Sequence, residues 1–466
     1  MYKPKYFILF LIFAFLKSNA QQGNYKFNNF GNKSILLSGN VTGSVEDLGV
    51  VYYNPSRLTS IENTGFAFNA KAFQINSTKL SNISGEESKV SNTNFDGIPA
   101  MAGGTFILFN ERFAYSFISK SRLDLDLKYA STSPQNRVLE TFPNLQEYKS
   151  NVNLSTKIDD DWLGLTWAKK INENLSIGAS IFGSIYKYEG QARLNYVLQF
   201  EDNSVASFQY NNGFSQNSYG LILKLGGNYH FEKVDLGVNI NLPYLEVFKK
   251  ANFDYNTVIA GIGNEFDEFY DYELNHLESK RKEPLGLSLG AGVPIGKSKL
   301  HFNVDYISGI SEYKRIEIPD IDIGNDQPKS VLFNETRDAV FNFGVGAEIY
   351  MSEMFTAYLG LSSDYTAYGS NANIFDLSSP KTKDINVGED FFHFSAGVNW
   401  TLKWASFVLG TTYTSGSSTF DNPLFIPNNG TDLIETDTSR IDYNRWQFVI
   451  GVEVPFLDNF NKNITD

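Results

Sequence analysis

Residues 392–402 read Phe-His-Phe-Ser-Ala-Gly-Val-Asn-Trp-Thr-Leu. Phe392, Phe394, Ala396, Val398, Trp400 and Leu402 take every second position, with His393, Ser395, Gly397, Asn399 and Thr401 between them. Successive side chains of a strand point to opposite faces, so this stretch is a ribbon with one apolar and one polar side. The alternation returns at Leu123–Tyr129, Leu285–Val293, Leu300–Tyr306 and Trp446–Val454. After Ile61 no amphipathic helix is legible.

The joints between ribbons alternate in length. Short polar ones fall at Asn110-Glu111, Ile171–Asn174, Glu232-Lys233, Ile295–Ser298, Met351–Met354 and around Lys403. Long Asn-, Asp- and Gly-rich ones fall at 77–100, 132–148, 250–284, 317–330, 366–390 and 416–442, with a shorter one at 201–204. Six turns and seven loops join about fourteen antiparallel strands, with the short joints at one end and the long ones at the other.

The remaining question is what the apolar faces meet. A soluble sandwich needs a partner layer for several hundred residues of such surface. In a bilayer, every backbone N–H and C=O must be paired internally, which for strands forces a closed barrel, apolar outside and polar inside. The expectation is an all-β transmembrane antiparallel barrel over 62–456. Trp162, Trp167, Trp400, Trp404 and Trp446, with Tyr229, Tyr350 and Tyr413, suit its interfacial aromatic girdles. Lys3 and Lys5 ahead of the apolar run Phe7–Leu16, followed by Lys17-Ser18-Asn19-Ala20, read as a secretory signal over 1–20. Its removal takes the net charge from −13 to −16. The expected location is the outer membrane, in contact with its lipid, as a monomer with a polar tail at 457–466. With 39 basic against 52 acidic residues, a nucleic-acid partner is excluded, and with no cysteine so are disulfides and thiolate metal sites.

Residues 21–61 are of a different kind, punctuated by Gly31, Gly39, Gly43 and Gly49 and running through Val50-Val51-Tyr52-Tyr53 into Asn54-Pro55. A barrel of this size is wider than its own side chains fill, so the segment is expected in the lumen as a plug. Phe30-Gly31, Ser38-Gly39, Glu46-Asp47 and Val51-Tyr52-Tyr53-Asn54-Pro55-Ser56-Arg57-Leu58 resemble the plug of the long-chain fatty acid outer-membrane transporters, the FadL/OmpP1/TodX family. The matching positions are Asp47, Asn54, Pro55 and Leu58, while Ser56 and Arg57 stand where that family usually has Ala and Gly. The resemblance implies passive uptake of hydrophobic small molecules such as long-chain fatty acids or alkyl and aromatic hydrocarbons. It implies capture by outer loops, a pocket above the plug, and sideways exit at a kinked strand. The third strand, about Arg112 to Tyr129, has no Gly or Pro to mark that kink. A relative of the same family serves as a shuttle in a secretion system, so the alternative is a non-transporting scaffold for secreted or surface-anchored proteins.

Two stretches are candidate substrate contacts. Phe182, Tyr186 and Tyr188 alternate with Ile177, Ile181 and Ile185, leaving a strand apolar on both faces, as a pocket wall or a contact with the plug requires. Phe266, Phe269 and Tyr270 sit among acidic residues, as in a capture site or a solvated loop. No catalytic residue, metal site or cofactor is expected. Gly286-Leu287-Ser288-Leu289-Gly290 fits G-x-S-x-G, but it lies inside an alternating strand, where a nucleophile elbow cannot form. His230, His276, His301 and His393 are in unrelated segments and read as inward polar groups. Asp320, Asp322 and Asp326 miss the spacing of a Ca²⁺ loop.

Overall fold

The computed structural model describes residues 24–61, 64–81, 89–132, 134, 139, 142–261, 267–322, 328–367, 390–421, 427–428, 432–433 and 438–455. Fourteen strands close into one antiparallel ring: β1 (Thr64–Ser81), β2 (Lys89–Leu108), β3 (Glu111–Ser131), β4 (Leu145–Lys170), β5 (Leu175–Phe200), β6 (Val205–Phe231), β7 (Val234–Asn241), β8 (Gly286–Ile295), β9 (Ser298–Ile307), β10 (Val340–Tyr350), β11 (Phe355–Asp364), β12 (Phe391–Thr401), β13 (Ser406–Asp421) and β14 (Thr438–Pro455). Each strand pairs with the next, and β14 pairs back onto β1 through Phe68↔Val452 and Ile75↔Trp446. Closure gives every strand a hydrogen-bonded neighbour on both sides along at least part of its length.

All six short joints fall where the sequence placed them. The long ones differ most in three places. Strand pairing runs through 77–81 and 89–100, and again through 416–421 and 438–442, all of which the sequence left as loop. Overlapping 250–284 is a hairpin of strands Leu245–Ala260 and Glu268–Leu277, laid along the upper part of β6. The physical reason is the same in each case. Above the bilayer the outer face of a ribbon meets water instead of lipid, so the apolar outer stripe is lost while the hydrogen-bond ladder continues.

β8 to β12 have 10 or 11 residues, about what a tilted strand needs to cross the bilayer. β4, β5 and β6 have 26, 26 and 27, so they rise far beyond it. The side-chain pattern of β5 shows where water begins. Ile177, Ile181 and Ile185 are exposed on the outer face, opposite buried Ser176, Ser180 and Ser184. Beyond Ile185 the outer positions become Lys187, Glu189, Gln191 and Arg193, and the inner ones Tyr188, Ala192, Leu194 and Tyr196. The strand keeps its phase while the two faces exchange polarity, because the outer solvent changes from lipid to water.

β3 solves the same boundary differently. Ser119 pairs with Asp161 and Ser121 with Asp160, leaving Lys120 as a bulge. Below it Ala114, Ser116 and Ile118 face inward; above it Leu125 and Leu127 do. One extra residue moves the whole following strand to the opposite face. Trp400 and Trp446 are on the lipid side, as a girdle requires, but Trp162 is turned inward and buried.

Candidate functional site

Residues 24–61 lie inside the ring. Two short helices, α1 (Asn32–Leu36) and α2 (Val50–Tyr53), and a 3-10 turn at Pro55–Thr59 are almost wholly buried there. Helices this short do not hold themselves together; Asp47 does it for them. Its carboxylate, 0% exposed, accepts from the Lys33 N–H at 2.6 Å, the Ser34 N–H at 2.8 Å, the Ser34 hydroxyl at 2.8 Å and the Gly49 N–H at 2.9 Å. It therefore caps the N-terminus of α1 and ties it to the start of α2. Gly31, at φ +83°, leaves the space the carboxylate fills.

Asn54 joins this segment to the wall. Its side-chain oxygen accepts from the Ser56 N–H and hydroxyl, and its amide donates to the Thr42 carbonyl at 2.7 Å and the Gly227 carbonyl of β6 at 3.1 Å. Pro55 opens the 3-10 turn against Gly178, where a Cβ would stand 2.6 Å from the Pro55 carbonyl carbon. Leu58 is fully buried in the core shared with Ile118, Trp162, Phe182 and Ile222. Arg57 adds a hold of its own, 3.5 Å from Asp235 of β7 and donating to Asn228 of β6.

Above this segment is a cavity of about 270 Å³. Tyr52 and Tyr53 form its floor, and Asn24–Asn29 run along one side as a strap. Its wall combines Leu123, Ile158, Trp162, Tyr186 and Ile222 with Lys120, Asp160 and Lys224. Lys224 Nζ stands 3.7 Å from the centre of the Tyr52 ring and Lys120 Nζ 5.8 Å. Lys224 donates to Asn241, and among the described residues neither lysine is ion-paired. The ceiling comes from the connection between the outer hairpin and β8. There Arg281 binds Asp160 at 2.8 Å and Glu283 at 3.1 Å while stacking 3.9 Å from the Tyr186 ring. Arg337 reaches the other Glu283 oxygen at 3.2 Å. Burial would push the Glu283 carboxyl up, but Arg337 and Arg281 outweigh it and hold it below the usual carboxylate range.

One side of the cavity borders an opening in the ladder. β2 and β3 are paired only from Leu108↔Glu111 to Met101↔Ile118. Beyond that, among the described residues, β2 continues with β1 and β3 with β4, and the two strands part. The bulge residue Lys120 and its neighbour Ser121 stand at the parting and line the cavity. This is the wall feature the sequence did not reveal, since a bulge needs neither Gly nor Pro when it contains no residue at positive φ, as here.

The candidate contacts separate. Tyr186 lines the cavity. Phe182 lies beneath it, 5.3 Å from Trp162 in the core shared with the lumenal segment. Tyr188 is buried in a higher cluster against Phe214, with Arg315 stacked at 4.2 Å. Phe269, 68% exposed, and Tyr270 are on the outer hairpin, in a strand rather than a loop, away from the cavity; Phe266 lies outside the described residues. Of the histidines, His301 and His393 are buried and inward, while His230 is mostly exposed at a turn and His276 lies exposed at the end of the outer hairpin. Gly286–Gly290 are part of the continuous strand β8, without the strand-to-helix turn of an elbow. No local pattern marks Lys120, Lys224 and Arg281, because nothing in a sequence says that separate strands bring them to one chamber.

A closed antiparallel barrel with a lipid-facing apolar band, a filled lumen and long extensions at one end is the architecture of outer-membrane channels. Solved structures share this fold. The chain matches a Pseudomonas aeruginosa FadL homologue with TM-score 0.56 at 11% identity, over 94% of this chain and 100% of that one. It matches the P. putida toluene transporter TodX with TM-score 0.52 at 11% identity, over 92% and 99%. It also matches the Ralstonia pickettii toluene transporter TbuX with TM-score 0.50 at 11% identity, over 92% and 98%. No family model and no curated protein matches the chain. The fold is therefore of the FadL type.

Proposed function

We propose that this protein passes hydrophobic small molecules across the outer membrane without an energy source, with residues 24–61 as the plug beneath the ligand. The observation that carries this is the cavity between plug and ceiling whose wall ends at the parting of β2 and β3. A ligand in that chamber has apolar contacts worth about 0.8 kcal/mol per buried methylene and a way out into the bilayer that never crosses the periplasmic side of the plug. Two lysines without ion pairs in the cavity wall favour a ligand with an acidic end, so a long-chain fatty acid fits the chamber better than a neutral hydrocarbon. The solved neighbours named as toluene transporters support the transport class. The scaffold reading has no comparable support, since it does not require a chamber.

The test is oleate uptake into liposomes containing the purified protein. We expect uptake well above protein-free liposomes, and a several-fold loss on combining Lys120→Met with Lys224→Met. Uptake equal to the protein-free control would overturn the proposal.

A further inference from the structure

A second group of buried cations lies across the strap from the first. Lys71 on β1 and Arg445 on β14 are each 2% exposed. Among the described residues neither is ion-paired, and the neighbouring carboxylate, Asp364, is held by His393 at 3.2 Å. Both point at one atom. The Asn28 side-chain oxygen accepts from Lys71 Nζ at 2.5 Å and from Arg445 Nη1 at 3.3 Å. The preceding residue, Phe27, fills an aromatic recess, with ring centres 5.4 Å from Phe391, 5.9 Å from Tyr443 and 6.4 Å from His393. Arg445 also stacks 3.7 Å from the centre of the Phe27 ring and donates to the Phe27 carbonyl, while among the described residues its Nε has no hydrogen-bond partner.

The strap thus presents this wall with a phenyl ring and, beside it, one acceptor oxygen between a lysine and an arginine. Two desolvated cations converging on a neutral amide are poorly compensated. A carboxylate would supply the missing charge, and a second oxygen for the unused Arg445 nitrogen. We propose that this wall is a binding site for aryl-alkyl carboxylic acids, and that Phe27 and Asn28 occupy it as an internal stand-in until such a ligand displaces them. Phe27, Asn28, Phe391 and Tyr443 also border the main cavity, so a ligand reaches the site from there. Access therefore rests on the transport reading, whereas binding to purified protein does not.

The experiment is calorimetric titration of the full chain in detergent with 3-phenylpropanoate, using 3-phenylpropanamide as the neutral analogue. Emptying the site with Phe27→Gly and Asn28→Gly removes the internal competitor, and the acid should bind at least about tenfold more tightly than to the unaltered protein. Adding Lys71→Met or Arg445→Gln should cancel that gain, and adding Lys120→Met with Lys224→Met should leave it intact. The amide should gain little. If Arg445→Gln fails to assemble into a heat-modifiable barrel, Lys71→Met carries the test. No gain on emptying the site, or a gain that survives Lys71→Met, overturns the proposal. Failure of the transport reading is distinguishable, because it appears as absent oleate uptake by the unaltered protein with this binding gain preserved.

Discussion

Replacing Asp47 by alanine should release the lumenal segment while leaving the barrel closed. The substitution leaves the N–H groups of Lys33, Ser34 and Gly49 inside the lumen without their acceptor. An unsatisfied buried donor costs about 1–3 kcal/mol, and the loss is softened because a buried carboxylate no longer has to be desolvated. A net destabilisation of about 3–5 kcal/mol of the segment against the wall is expected. At about 1.4 kcal/mol per factor of ten, the displaced population rises by roughly 10²- to several-thousand-fold. Asp47→Asn keeps one acceptor oxygen and should lie in between, at about 1–3 kcal/mol. The chain has no cysteine, so Val50→Cys, at a fully buried position, is a clean reporter. Its modification rate by a thiol reagent follows the fraction of time the segment is displaced. The reasoning fails if the reporter cysteine is as protected in the Asp47→Ala protein as in the protein that retains Asp47, while the barrel remains intact.

Other expectations follow from the same geometry. Gly237→Ala should loosen the segment by about 1–3 kcal/mol, because the new Cβ meets the backbone of Thr42 and Gly43, whereas Gly183→Ala, with its nearest atom 4.0 Å away, should be neutral in the same thiol assay. The Glu283 carboxyl is depressed, so its contribution to holding the ceiling is present above an unfolded pKa of about 4.3 and is lost as the pH falls through the lower folded value. Protease nicking of the connection carrying Arg281 should accordingly stay slow at about pH 5 and accelerate as the pH drops well below about 4, and Glu283→Gln should be nicked readily at about pH 7. Arg57→Ala removes contacts to Asp235, Asn228 and the Val45 carbonyl and should raise the conductance of single barrels in planar bilayers.

The barrel was legible because the bilayer imposes period two on both faces wherever lipid touches the outside, as at Phe392–Leu402. Where strands leave lipid, the cue is lost: residues 89–100 form a strand whose polar composition reads as a loop. Asp47, Asn54, Pro55 and Leu58 are marked in the sequence only by the resemblance to the FadL/OmpP1/TodX plug, because the Asp47 cap reaches back to Lys33 and Ser34 and no local pattern encodes it. The cavity was less visible. Tyr186 is marked by its two-sided apolar strand, yet Phe182 and Tyr188 share that pattern and face the core of the lumenal segment and the upper cluster instead. Height along a strand decides which environment an inward residue meets, and alternation carries no information about height. The bulge at Lys120 was invisible for a related reason: Leu123–Tyr129 alternate perfectly on their own, and only the β4 register reveals that their phase differs from that of Ala114–Ile118.

Hydrophobic molecules leave, on this account, through the parting of β2 and β3 beside the bulge. Deleting Lys120 removes the extra residue and keeps Ser116 and Ile118 below, and Leu123 and Leu125 above, facing inward, so β3 can continue its pairing with β2. Lys120→Met keeps the bulge and removes only the charge. In oleate uptake by liposomes, the deletion should reduce flux to the protein-free level while Lys120→Met retains a substantial part of it. Undiminished flux through a folded barrel lacking Lys120 would contradict the account.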